Sequence, residues 1–300
     1  MTQEIVLIIG LGEIGHTLFS LYTEKKTEFA AYGLDLDQTK MQELNQDKNK
    51  IPNKIDVLQA AFPCTNPEKF ADIIADYTKQ YQPNLVVVNS TVPPGTTLRV
   101  AQKCNCQVVH SPARGVHINA NHMVWEMKRW PKYIGGATPQ ATKTAQIHFE
   151  KLGLHVKVLK SCNETELAKL FETTYRAWMI ACFQEMHRIA NAFNADFNNT
   201  VDFLEDTHRQ RYDRPIMFPG HIGGHCLIPN TELLLKAYDS DFLRLILKSN
   251  EKRKEEMNDP KIQTQAQLVA QRATTLEKEL TGEKNLTLPP QKPTKNNSQP

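Results

Sequence analysis

Long apolar runs are missing from this sequence. Even the stretch from Leu85 to Leu98 is broken by Asn, Ser, Thr and Pro, whereas a membrane helix needs ~18 to 20 consecutive apolar residues. No membrane-spanning helix is expected. Neither sign of charge is in excess, with 36 Lys+Arg set against 33 Asp+Glu and the two interleaved along the chain. Phosphate-backbone binding requires a concentrated basic face, so nucleic acid is not an expected partner. Cysteine is sparse and irregular: Cys64, Cys104, Cys106, Cys162, Cys182 and Cys226 show no framework spacing, which favours reduced thiols. Cys104-Asn105-Cys106 lacks the two-residue spacer of a metal knuckle, so no metal site is expected. The first residues carry an acid at Glu4 before a short apolar run, with no basic leader, and a cytoplasmic location is expected. A length of 300 residues suits about two domains with real cores and excludes a small disulfide scaffold.

The first ~160 residues alternate short β-type runs with helical stretches, the pattern of a doubly wound parallel sheet. Strands are expected at Ile5–Ile9, Ala30–Leu34, Val57–Ala60, Leu85–Val88, Gln107–His110, Lys132–Ile134 and His155–Val158. Helices are expected between them at Ile14–Glu24, Thr39–Asn45, Pro67–Tyr81, Gly95–Gln102 and Thr138–Leu152. From Ser161 the texture turns all-helical, with expected helices at Glu164–Asn194, Thr200–Tyr212 and Thr231–Lys254 and a glycine-rich interruption at Pro219–Pro229. The fold class expected is thus α/β, an N-terminal Rossmann-type doubly wound parallel sheet followed by an all-α second domain. The domain expectation is 1–158 for dinucleotide binding, 159–258 for substrate and dimerisation, and 259–300 for a polar helix and a disordered tail whose proline-rich, polar composition cannot offset ordering entropy.

Gly10-Leu11-Gly12-Glu13-Ile14-Gly15 follows the first strand directly and opens an amphipathic helix, the context in which this glycine pattern binds a dinucleotide. Gly10 permits the tight turn, Gly12 lets the backbone approach a pyrophosphate, and Gly15 lets helix pack on strand. The helix N-terminus offers its unpaired N–H groups to phosphate. Asp35 stands 20 residues after Gly15 at the end of the next strand. A carboxylate there accepts from the ribose hydroxyls and repels a 2′-phosphate, which favours NAD over NADP. Asp37, on the same turn, is the second candidate for that role.

With these residues in view, the chain resembles the nucleotide-sugar 6-dehydrogenases, the UDP-glucose/GDP-mannose dehydrogenase family. Beside the glycine motif, the likeness rests on Ser90-Thr91-Val92-Pro93-Pro94-Gly95-Thr96-Thr97, Ser111-Pro112-Ala113-Arg114, Glu166-Leu167-Ala168-Lys169 with its helix, and Gly223-Gly224-His225-Cys226. The resemblance implies a primary alcohol oxidised twice by NAD, through an aldehyde captured on cysteine, a thioester, and hydrolysis. It assigns the nucleophile to Cys226, whose thiolate a neighbouring His225 or Lys169 would favour. It gives Lys169 the stabilisation of negative charge on the substrate oxygen, and Thr91 a place at the carboxyl edge of the sheet. Thr173 and Arg176 share the Lys169 face of the long helix at i+4 and i+7.

Three positions depart from the family pattern. Ala113 stands where the family has Glu, Thr173 where it has Asn, and Asn230 where it has an acid. Thioester hydrolysis needs a general base, and His117 falls where one branch has a second Glu, so it is the candidate replacement. The residues after Lys254 are too few and too polar for the family's third domain; a short form is therefore expected, with a partner subunit completing the site or a smaller substrate. His208, Arg209, Arg211 and Arg214 offer a basic cluster for a phosphorylated substrate, or simply a solvated helix end. Leu167, Phe171, Trp178, Ile180 and Phe183 surround much of the long helix, and with the family's habit of dimerising there a homodimer is expected. The alternatives are a β-hydroxyacid-type dehydrogenase, in which the Gly-Gly-His-Cys loop has no purpose, and a non-catalytic NAD-binding module with a decayed site.

Overall fold

The computed structural model describes residues 2–115 and 120–281. The chain divides into two compact units, Met1–Leu170 and Phe171–Pro300.

The first unit is built on seven strands: β1 (Glu4–Ile9), β2 (Phe29–Leu34), β3 (Val57–Ala60), β4 (Leu85–Val88), β5 (Gln107–His110), β6 (Lys132–Gly136) and β7 (Val156–Val158). They form one sheet in the order β2-β1-β3-β4-β5-β6-β7. Every pairing is parallel except β5 with β6, where His110 faces Gly135 in antiparallel register. Strands such as Leu85–Val88 are buried on both faces, which is why they read as continuous apolar runs and not as alternation. The order of winding reverses at β1, which pairs β2 on one side and β3 on the other. That switch point is where open α/β sheets bind ligands, outside the strands' carboxyl ends.

Six helices accompany the sheet: α1 (Glu13–Glu24), α2 (Gln38–Glu43), α3 (Pro67–Tyr81), α4 (Thr96–Lys103), α5 (Ala120–Arg129) and α6 (Pro139–Lys151). Asn66 and Thr138 cap α3 and α6 by accepting from backbone N–H groups, with proline in the first turn of each. No helix is expected from the sequence at α5, whose larger apolar residues are Met123, Val124, Trp125 and Met127, too short a pattern to stand out. Leu7, Ile8, Leu58, Val86, Val87 and Val109 lie at the centre of the core without exposure.

The division between units falls within the 31-residue α7 (Cys162–Ala192). The second unit continues with α8 (Phe197–Arg211), α9 (Leu227–Ala237), α10 (Asp241–Glu256) and α11 (Pro260–Thr281), and has no strand among its described residues. Phe183, Phe197, Val201, Ile216, Val269 and Leu276 form one of its cores. The single helix expected at Thr231–Lys254 is two, separated at Tyr238–Ser240, and α9 begins earlier, with Pro229 in its first turn, where a missing N–H costs nothing. The expected disordered tail lies outside the described residues from 282 onward.

Candidate active site

The glycine loop joins β1 to α1 at the switch point. Gly10 has φ +88°, and a Cβ there would stand 2.8 Å from the Ala61 carbonyl oxygen. A Cβ on Gly15 would stand 1.7 Å from the Gly10 carbonyl oxygen. The fold itself therefore demands both glycines. At Gly12 a Cβ would meet nothing within 4 Å, so no neighbour in the chain requires glycine there, while a pyrophosphate seated on the loop would. Asp35 follows β2 and is nearly buried; its Oδ2 accepts from the Leu11 N–H at 2.6 Å and its Oδ1 from the Asp37 N–H at 2.8 Å. Asp37 itself caps α2 by accepting from the Thr39 N–H at 2.9 Å. Of the two acids, Asp35 is thus the one joined to the loop. Lys40 approaches Asp35 to 3.8 Å, a basic neighbour the sequence reading did not consider. The backbone space over Gly12, the carboxylate and the α1 N-terminus fit a dinucleotide.

Thr91 lies half-buried just beyond the carboxyl end of β4. The turn that follows is anchored by Glu166, an unexposed acid in the second turn of α7: its carboxylate accepts from the Gly95 N–H at 2.6 Å and the Thr97 N–H at 2.7 Å. These are N-terminal donors of α4, so the helix dipole helps hold the charge. Burial nevertheless raises the Glu166 pKa above the usual carboxylate value. His110 at the end of β5 is buried and bonded on both ring nitrogens, Nε2 to the Ser90 carbonyl at 3.1 Å and Nδ1 to the Thr165 hydroxyl at 2.9 Å. A carbonyl only accepts, so Nε2 carries the hydrogen. Burial pulls the His110 pKa down to about 3, and the charges of Lys132 and Lys169 act in the same direction. Lys169 is half-buried one turn before Thr173 on α7.

In the second unit, Cys226 is exposed and stands at the N-cap of α9, after Gly224 with φ +80°. The loop before it is clamped by α10: Asn250 Oδ1 accepts from the Ile222 N–H at 2.7 Å and its Nδ2 donates to the Ile222 carbonyl at 3.1 Å. Gln184 of α7 adds a bond from Nε2 to the Gly220 carbonyl at 2.8 Å. Asn250 and Gln184 escaped the sequence reading, because a polar residue in a helix names no partner. Thr173 and Asn230, two of the three departures, are both buried, and Asn230 Nδ2 donates to Thr173 Oγ1 at 3.2 Å. Arg176, expected on the same face, is exposed. The basic cluster is largely ion-paired: Arg209 with Glu205 and Glu279, Arg214 with Asp213. Its reading as a phosphate site weakens accordingly. His117 lies outside the described residues. Among the described residues no group of acids, histidines and cysteines is arranged for a metal ion, and no helix is long and apolar enough to cross a membrane.

Residues 163–252 match the model of the UDP-glucose/GDP-mannose dehydrogenase family, central domain. The chain is 28% identical to a UDP-N-acetyl-D-mannosamine dehydrogenase of Pyrococcus horikoshii over 56% of its own length and 42% of the relative's. Against the enzyme of that name from Methanocaldococcus jannaschii the figures are 24%, 74% and 59%. The chain thus spans about half the length of these relatives. The solved P. horikoshii structure superimposes with a TM-score of 0.69 at 19% identity, covering 85% of this chain and 70% of that one. A 3-hydroxyisobutyrate dehydrogenase from Mycobacterium tuberculosis shares the fold with a TM-score of 0.61 at 11% identity, covering 90% and 99%. On these findings the chain is similar to nucleotide-sugar dehydrogenases, and its residues 163–252 match the model of the UDP-glucose/GDP-mannose dehydrogenase central domain.

Proposed function

We propose that the protein is an NAD-dependent dehydrogenase that oxidises a CH–OH group of a nucleotide-sugar or related sugar substrate. The observation that supports this reading is the Gly12 loop joined to Asp35 at the Leu11 N–H, with Thr91 just beyond the carboxyl end of β4 in the same unit. Gly10, Leu11, Gly12, Glu13, Ile14, Gly15 and Asp35 would hold the dinucleotide, with Thr91 at its reactive end. NAD bound there supplies the acceptor for the substrate's hydride. Lys169 would stabilise the oxyanion that develops on the substrate. Cys226 would capture the aldehyde, and Thr173 would orient the substrate beside it. In domain terms, 1–158 binds the cofactor and 159–258 serves substrate and dimer formation. The six cysteines form no disulfide among the described residues, which suits a reducing cytoplasm.

The test is NADH formation in the full chain with a panel of nucleotide sugars, scored against NADP. A second reading, a non-catalytic NAD-binding module, is favoured by one observation: Ala113, Thr173 and Asn230 leave neutral groups where the family resemblance calls for acids and an amide. Tight NAD binding with no NADH from any sugar supports that second reading. The β-hydroxyacid alternative shares the fold but leaves the Cys226 loop unexplained.

A further inference from the structure

Lys132 opens β6 at 5% exposure. Its Nζ donates to the Ser111 carbonyl at 2.7 Å and to Asn89 Oδ1 at 3.2 Å, and lies 5.3 Å from the centre of the Phe149 ring. Among the described residues no carboxylate pairs with it. A buried ammonium without a counter-charge is costly, whereas a neutral amine has two hydrogens and a lone pair. The two oxygen acceptors match those two hydrogens. The charged or titratable groups facing Lys132 are Lys169 from α7, His110 from β5 and Arg114 from the turn after β5; α6 presents the Phe149 ring. Burial first, and then Lys169, bring its pKa down to about 7.

Its position is equally specific. Extending the register in which His110 faces Gly135 by three residues sets Ala113 opposite Lys132. Ala113, Lys132, Pro112, Arg114 and Trp130 line a cavity of about 10 Å³, room for one water molecule. This is the position where the family resemblance calls for a glutamate. Ala113 brings no titratable group to that cavity, and a buried amine stands beside it.

Behind Lys132 runs an oriented chain of hydrogen bonds. Lys132 donates to Asn89 Oδ1, and Asn89 Nδ2 donates to Gln59 Oε1 at 2.8 Å. Gln59 Nε2 donates to the Tyr22 hydroxyl at 2.6 Å, which donates to His148 Nε2 at 2.6 Å. His148 Nδ1 donates to Glu4 Oε1 at 2.6 Å. Every dipole points from Lys132 toward the Glu4 carboxylate. The alignment fixes which end of the Asn89 amide meets Lys132, and it favours positive charge arriving at the Lys132 end.

We propose that Lys132, as its neutral amine, is the proton acceptor for the alcohol oxidation, through a water in the cavity beside it. The assignment rests on the dehydrogenase reading above. The substrate C–H bond breaks with its electron pair passing to NAD, which is reduced. The O–H bond breaks with its proton passing through the water to the Lys132 lone pair, a C=O bond forms, and the amine becomes an ammonium that returns its proton to solvent between turnovers.

The experiment has two arms on the full chain. In the first, the Lys132 side-chain nitrogen is followed by NMR in ¹⁵N-lysine-labelled protein, assigned by its loss in Lys132→Met; titration near pH 7 is expected, and an ammonium that persists above pH 9 overturns the proposal whatever the activity. In the second, single-turnover NADH formation is measured in wild type, Lys132→Met and Lys132→Arg. Both variants are expected to lose about 10²- to 10⁴-fold, to retain NAD affinity within twofold, and to lose the wild type's fall in rate below pH 7. A variant that binds NAD, keeps its rate within threefold and keeps the same pH profile makes Lys132 a structural strut and overturns the proposal. A wild type that forms no NADH with any sugar overturns the dehydrogenase reading itself, and is told apart because it fails before any substitution is made.

Discussion

Asn230 Nδ2 donates to Thr173 Oγ1 at 3.2 Å, so two of the three positions that depart from the family pattern are partners of each other. Both are buried. An amide and a hydroxyl satisfy one another there without charge, which avoids placing an ion in a site that burial would penalise. The pair packs there without an acid, and Ala113 likewise supplies no carboxylate.

Hydride transfer and release of the oxidised product should therefore separate in rate. Asn230→Asp restores a carboxylate that the Thr173 hydroxyl can donate to, and is expected to speed acid formation by about tenfold or more, since a lost general base typically costs 10²- to 10⁴-fold. Cys226→Ala is expected to abolish acid formation while leaving NAD binding intact. Mass spectrometry of the wild type incubated with substrate and NAD should find an acyl adduct on Cys226. Rapid acid release without an adduct, unchanged in Asn230→Asp, would place the base elsewhere, with His117 next to be tested.

Cofactor choice turns on Asp35, because Lys40 sits only 3.8 Å from it. With the carboxylate present, a 2′-phosphate meets repulsion and NAD is expected to bind at least tenfold more tightly than NADP. Asp35→Ala also removes the acceptor of the Leu11 N–H and exposes Lys40 to the phosphate, so the preference should fall toward parity or reverse. Gly12→Ala, by contrast, meets no atom of the fold; it should melt with the wild type and bind NAD at least tenfold more weakly. Calorimetry with both dinucleotides checks all three values.

The contribution of Lys132 to stability should rise with pH from about 7 upward. Burial holds Lys132 at about 7 against an ordinary 10.5, so between those values the unfolded chain binds the extra proton and folding gains as pH climbs. The penalty is fully present below pH 7 and is at most on the order of 5 kcal/mol. His110, held at about 3 by burial, and Glu4, held low by His148 and Lys151 against the opposing effect of burial, lose stability as pH falls; Glu166, raised by burial, works the other way. Unfolding curves of wild type and Lys132→Met should diverge by about one proton's slope between pH 7 and 10 and run parallel elsewhere. Parallel curves throughout would mean that Lys132 stays charged in the fold.

What was legible in the sequence was what is local. The seven strands were readable because runs such as Leu85–Val88 must be apolar to lie buried on both faces. The glycine loop was readable because Gly10 and Gly15 answer to steric demands within one β-α-β unit and Asp35 accepts from the Leu11 N–H. The break at Tyr238–Ser240 was not, since Leu234, Tyr238, Phe242 and Leu245 keep a helical spacing across it with no glycine or proline to mark it. Lys132 read as one residue of a strand. Its meaning comes from Asn89 and Ser111, 43 and 21 residues away, and such pairing leaves no periodic trace. Glu166 likewise gains its role only where α7 meets the start of α4.

The last prediction concerns assembly. Along α7 and at the turn just past its end, Phe171 is 56% exposed, Tyr175 64%, Ile189 51% and Phe193 81%, and their spacings of four, fourteen and four residues keep them close to one stripe of a 3.6-residue helix. Burial of aromatic side chains drives association at roughly 25 cal/mol per Å² of apolar area removed from water, and patches of this kind commonly mark protein interfaces. A homodimer through this stripe is the expected state, with light scattering giving twice the chain mass at micromolar concentration. Because Phe171 and Phe193 lie at opposite ends of the stripe, Phe171→Glu and Phe193→Glu should each weaken the dimer by at least tenfold and together yield monomer, without lowering the melting temperature of the dissociated chain, since neither side chain belongs to a core. A wild-type chain that is monomeric at that concentration would leave the stripe without the role given to it and would exclude a site completed by a second copy.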